Sequence, residues 1–227
     1  MSALLIPATP GIEVRGVGEM YPLNGPSWSL FFEYVGNILY VFFIRKLPTK
    51  ILSLLGMEMP KEKISVVPTG NIQLRTYSLF KYQILRKGEM PVPCVVVIPE
   101  KVAPQGKVIL FLNEAGKDAV LNDENTLSNY VNHGDILVVA DLRGYGEMED
   151  PASLNDTKYW NREYRNAMTS LHIGRPIVGQ RVTDILSLVD FISSDPRFAG
   201  HSILLQASGT YGPVAVHAAF LDLRITK

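Results

Sequence analysis

The residues with the clearest chemical potential lie in one short turn, Ala207-Ser208-Gly209-Thr210-Tyr211-Gly212, between two apolar runs at 202–207 and 212–221. Ser208 and Thr210 are its candidate catalytic nucleophiles. A hydroxyl attacks an acyl carbon when a neighbour takes its proton and fixed backbone N–H groups hold the oxyanion that forms. Backbone N–H groups near Glu114, Ala115 and Gly209 are the candidates for that oxyanion hole. The nucleophile should also sit on a sharp strand-to-helix elbow, with small residues two places before and after it. Ser208 has Gln206 and Thr210 at those places, both bulky. Thr210 has Ser208 and Gly212, a better fit, but a β-branched residue resists positive φ. Gly209 would adopt the elbow conformation most readily and carries no nucleophile. The register of the turn stays open by one residue each way.

Several elements must position this turn. Residues 71–77 alternate apolar and polar side chains, and 82–85 continues as a second strand. Residues 91–98, 107–113, 135–141 and 202–207 are short apolar runs, the last three of the kind expected for strands buried on both faces. Helical spacing covers 125–133, which ends at a glycine stop, Gly134, and 178–194. The run 212–221 is apolar nearly all round, and Pro213 suits a first helical turn. Strands alternating with helices predict an α/β fold, a mostly parallel sheet with flanking helices. Ligands of such sheets bind at the carboxyl ends of the strands. Three tips are available there: 113–118, 142–147 and 208–212.

The segment V-V-A-D-L-R-G-Y-G at 138–146 resembles the D-x-R-G-x-G turn after the fourth strand of the α/β-hydrolase superfamily. The 113–117 turn stands where that superfamily has its oxyanion loop. The resemblance covers roughly residues 70–227 and is nearest to acetyl-xylan-esterase and dienelactone-hydrolase-like proteins. It implies hydrolysis of a small-molecule or carbohydrate ester without a cofactor. It also implies an acid and a histidine later in the chain than the elbow, and the sequence stops at Lys227. The expectation is therefore a truncated esterase-type domain, inactive alone. Of the histidines present, His133 and His201 flank strand starts, and His217 lies on the apolar helix and reads as core. His172, in the long 147–177 insertion, is the one free to approach the strand tips. That insertion also holds Tyr159, Trp160, Arg162, Tyr164 and Arg165, and reads either as a lid or as a surface loop with an amphipathic helix.

The first 56 residues differ in character. Residues 30–44 are almost wholly apolar apart from Glu33 and Asn37, and Arg45-Lys46 come next. Counted over 28–47, the stretch has the length of a membrane span with a basic flank. A helix packed on a soluble core explains it equally well. The segment N-G-P-S-W-S-L-F-F-E at 24–33 resembles part of the integral-membrane acyltransferase-3 family, which moves acyl groups onto sugars. The polar, turn-rich 57–71 stretch places a boundary near 56–61 and a hydrolase-type piece at 57–227. The esterase reading therefore has two rivals: a membrane acyltransferase fragment, and a non-catalytic carbohydrate-binding module. The N-terminus lacks the pattern of a signal peptide, which leaves a cytoplasmic or membrane-associated location.

Charge is balanced, with 22 basic and 22 acidic residues, so no global field favours nucleic acid as a partner. The single cysteine, Cys94, lies in an apolar strand and reads as a core residue. No Cys/His spacing suggests a metal; Asp141, Glu147, Glu149 and Asp150 cluster near a tip, as a solvated loop would too. A sheet lacking later strands exposes an edge, so a homodimer paired through that edge is expected.

Overall fold

The structure, a computed structural model, describes residues 48–151 and 163–226. The chain divides into two compact units, Met1–Ile51 and Leu52–Lys227; of the first, the described part is the opening of helix α1 (Pro48–Leu54). Residues 28–47 and the side chains Tyr159, Trp160 and Arg162 fall outside the described residues. Among the described residues no helix is long and apolar enough to cross a membrane.

The second unit is built on a seven-stranded sheet. Its strands are β1 (Ile64–Gln73), β2 (Tyr77–Arg86), β3 (Val92–Pro99), β4 (Lys107–Leu112), β5 (Ile136–Ala140), β6 (Ser202–Ala207) and β7 (Ile225–Thr226), in the order β1-β2-β3-β5-β4-β6-β7. The sheet is mixed, which corrects the mostly parallel expectation. The pairs β1–β2, β2–β3 and β3–β5 are antiparallel, and β5–β4, β4–β6 and β6–β7 are parallel. The links 74–76 and 87–91 are too short for a crossover, so the first three strands can only fold back on each other. The parallel pairs each have a helix in the connection: α2 (Lys117–Leu121) and α3 (Glu124–His133) before β5, α4 (Tyr164–His172) and α5 (Ile177–Ser194) before β6, and α6 (Tyr211–Leu221) before β7.

The expected strand at 71–77 is likewise corrected: it straddles the β1–β2 turn, where the Leu74 N–H donates to the Tyr77 carbonyl at 3.0 Å. The alternation there does not mark burial, since Ile72 and Leu74 are 47% and 46% exposed. β4 and β5 meet their expectation. Their Val, Ile and Leu side chains are almost all buried, and one face packs with Val95, Val97, Val120 and Leu127. α3 begins on an Asp123 cap, whose carboxylate accepts from the Asn125 and Thr126 N–H groups, and ends on Gly134 at φ 76°.

α5 is the long helix packed against β1, β2 and β3, the antiparallel half of the sheet. Its Gly179 lies against the Leu55 backbone so closely that a Cβ would stand 1.9 Å from the Leu55 carbonyl oxygen. Gly179→Ala should therefore destabilise the fold by about 1–3 kcal/mol, read as a shift of the urea midpoint. Cys94 is fully buried on β3, and burial pushes its thiol up to about 12. It should stay unlabelled by iodoacetamide in the native protein and label stoichiometrically once the protein is unfolded.

Candidate functional site

The tips of β4, β5 and β6 form one rim. Leu112 on β4 pairs with Ala207 on β6, and the Ser208 N–H donates to the Leu112 carbonyl at 3.0 Å, extending the ladder by a residue. The chain then reverses into α6. Gly209 takes the turn at φ 61°, the one positive-φ position of the elbow, while Thr210 already has helical angles of −64° and −13°. The conformation an L side chain rarely adopts thus falls on the residue that has none.

The space above Gly209 is filled by Glu114 from the β4 tip. A Cβ on Gly209 would stand 2.0 Å from the Glu114 carboxyl carbon and 2.1 Å from its Oε2. The Thr210 N–H donates to that Oε2 at 2.8 Å. Beside it, the Ala115 N–H is taken by the Asn113 side chain at 2.9 Å. The structure thus brings Glu114, Gly209 and Thr210 together at the apex. It places Ser208 half-buried on the strand side of the elbow and Ala115 on an exposed turn. Glu114, considered for its backbone, contributes its carboxylate.

The Thr210 hydroxyl lies 2.9 Å from Tyr145 Oη, which in turn lies 3.1 Å from the Glu163 carboxylate. A carboxylate can only accept, so Tyr145 donates to Glu163 and Thr210 donates to Tyr145. Arg181 on α5 holds Glu163 with both guanidinium NH₂ groups, donates from Nε to the Arg143 carbonyl at 3.0 Å, and covers the Tyr145 ring at 4.7 Å. Tyr211 packs edge-on against Tyr145 at 5.0 Å, fully buried, its hydroxyl lacking a hydrogen bond of normal geometry. Burial drives the Tyr211 phenol far above its ordinary value.

Two buried ion pairs brace the β5 tip. Asp141, 1% exposed, accepts from the Lys117 ammonium at 2.8 Å, the Lys117 N–H at 2.7 Å and the Glu147 N–H at 2.9 Å. Burial pulls the Lys117 ammonium down, but Asp141 and Glu147 outweigh it and hold the group above its ordinary value. Gly146 must be glycine here, because a Cβ would lie 2.3 Å from the Asp141 carboxylate. Arg143 reaches Asp184 on α5 with two bonds, at 2.8 and 2.5 Å, and also Gln180 at 2.7 Å and Glu89 at 3.1 Å. The D-x-R-G-x-G turn is therefore held from both sides.

Lys117, Arg181, Asp184 and Glu163 escape a sequence reading of this site. The one signal for Arg181 and Asp184 was charge inside an apolar helical run at 178–194. His133 and His201 sit just before β5 and β6, at the end of the strands opposite the rim. His217 is half-buried on α6, where burial lowers its imidazole, and His172 is exposed at the end of α4. Among the described residues no group of three or more His, Cys, Asp or Glu could hold a metal ion.

The sheet order and the strand-to-helix elbow define an α/β-hydrolase-type fold, and solved structures agree. A protein assigned as an acetyl xylan esterase, from Bacteroides fragilis NCTC 9343, superposes with a TM-score of 0.63 at 16% identity, over 80% of this chain and 50% of that one. An acetyl xylan esterase from Paenibacillus sp. R4 gives 0.53 at 17%, over 80% and 55%. A glucuronoyl esterase from Solibacter usitatus gives 0.55 at 14%, over 97% and 62%. The chain spans between 50% and 62% of the length of these three proteins. No family model matches it, and no curated protein is similar to it. Nothing among these likenesses supports the acyltransferase-3 resemblance of the first 55 residues.

Removing one partner of the Lys117–Asp141 pair leaves a buried charge alone. Lys117→Met should cost about 3–5 kcal/mol of unfolding free energy, and the Lys117→Met/Asp141→Leu double variant should recover much of it. Denaturant titration of the three proteins checks both.

Proposed function

We propose that residues 57–227 form an esterase-type α/β-hydrolase domain, related to enzymes of carbohydrate-ester hydrolysis, whose elbow is chemically silent. Its fold neighbours are named for esters of xylan and of glucuronic acid, which supports a small-molecule or carbohydrate ester as the ancestral substrate class. One observation carries the silence of the elbow. The apex residue is Gly209, and the Glu114 carboxylate sits on it and takes the Thr210 N–H.

Ester hydrolysis needs a nucleophile at the apex and free N–H donors for the oxyanion. The apex here offers no side chain, and one elbow donor already serves an anion. An oxyanion forming beside Glu114 would meet a like charge a few ångströms away, which opposes the transition state. Ser208 and Thr210 remain as nucleophiles of the same turn. Ser208 is set on the strand side, and the Thr210 hydroxyl is committed to Tyr145.

In a p-nitrophenyl acetate assay the chain should release nitrophenol at the rate of the buffer blank, with Ser208→Ala and Thr210→Val unchanged from it. Turnover well above blank that either substitution abolishes would overturn the proposal and make that residue the nucleophile.

A further inference from the structure

A cavity lies between the outer strands and the start of α2, and neither Gly209 nor Thr210 lines it. It has a volume of about 390 Å³, within the range of roughly 300–1,000 Å³ usual for small-molecule sites. Pro93, Val95 and Leu121 supply its apolar lining, on the sheet face and on α2. Around that lining stand Thr69, Lys81, Gln83, Asp118 and Lys117.

Two features set this cavity apart from an ordinary surface dent. Thr69 is the extra residue of a β-bulge in β1, where the register jumps from Pro68↔Tyr82 to Gly70↔Lys81, and bulges commonly re-aim a side chain next to a site. The polar heads are also uncommitted. Among the described residues, the Thr69 hydroxyl, Lys81 ammonium, Gln83 amide and Asp118 carboxylate have no protein partner. Lys117, 6% exposed, uses two of its three ammonium protons on Asp141 and Glu147, which leaves one donor of a buried cation in the cavity wall.

From this we infer that the cavity binds a neutral polyhydroxyl ligand, a short saccharide. Sugar hydroxyls both donate and accept. The wall supplies donors (Lys81, Lys117), an acceptor (Asp118) and groups that do both (Thr69, Gln83). The apolar lining suits the C–H face of a sugar ring. Charge in the lining is balanced, Lys81 and Lys117 against Asp118 and Glu147, so no net positive field draws an acidic sugar in preference to a neutral one. The silent elbow takes no part in this site, so either proposal can fail without the other.

The test is isothermal titration calorimetry of the whole chain with xylobiose, cellobiose and maltose, and with glucuronate as the anionic control. At least one neutral disaccharide should bind, and glucuronate should bind no more tightly than it. Gln83→Ala and Asp118→Ala, both at exposed positions, should each weaken binding by about tenfold or more while leaving thermal unfolding unchanged. Thr210→Val should bind like the parent. No heat with any neutral sugar, tighter binding of glucuronate, or affinity that survives both Gln83→Ala and Asp118→Ala would overturn the inference.

Discussion

A sharp strand-to-helix elbow concentrates its backbone strain on one residue, and in this protein that constraint falls between β6 and α6. Gly209 meets it at φ 61° with no steric cost. The consequence is spatial. Without a side chain at the apex, the notch above it is open to the neighbouring strand tip, and the Glu114 carboxylate enters far enough to accept from Thr210 at 2.8 Å. The same notch would hold the nucleophile of an esterase with this fold. On the proposed reading, a glycine at the apex and an acid from the adjacent loop replace an oxyanion-binding corner with an internal hydrogen bond.

The rim around this notch is held by charge more than by apolar contact. Lys117–Asp141, Arg143–Asp184 and Arg181–Glu163 each join different elements, and most of these groups are nearly inaccessible to water. Buried pairs of this kind add little net stability, because desolvation offsets most of the Coulomb gain. Their contribution is positional. Asp141 receives three donors, so the β4 and β5 tips cannot slide past one another. Arg181 links Glu163, the Arg143 carbonyl and the Tyr145 ring, and Tyr145 then orients Thr210. A rigid rim suits the proposed silent elbow, which holds a defined shape without needing to perform chemistry.

The parallel half of the sheet was legible in sequence because its strands are short, apolar on both faces and bounded by recognisable turns. The runs 107–113, 135–141 and 202–207 became β4, β5 and β6, side by side and in one direction, but burial on both faces holds for β4 and β5 and not for β6, where Ser202 and Gln206 are exposed and Leu204 and Leu205 half-buried. The antiparallel half was less legible. β1 is exposed over nearly its whole length, so its residues carry no burial signal, and the alternation at 71–77 ran through a turn. At the elbow, the sequence left three registers open, since Ser208, Gly209 and Thr210 differ by single steps. Backbone conformation separates them, and side-chain type alone does not. The partners of the rim were invisible for another reason: Lys117 and Asp141 are 24 residues apart, Glu163 and Arg181 are 18 apart, and each pair meets only in three dimensions.

A silent elbow requires the Glu114 carboxylate to occupy the notch in solution. Amide hydrogen exchange at Thr210, compared between the parent and Glu114→Ala, reads that contact directly. The Thr210 amide should be protected in the parent and lose about tenfold or more of that protection in the variant, while the amides of β4 and β6 stay unchanged. Equal exchange at Thr210 in the two proteins would contradict this, and would mean that the notch above Gly209 stands open.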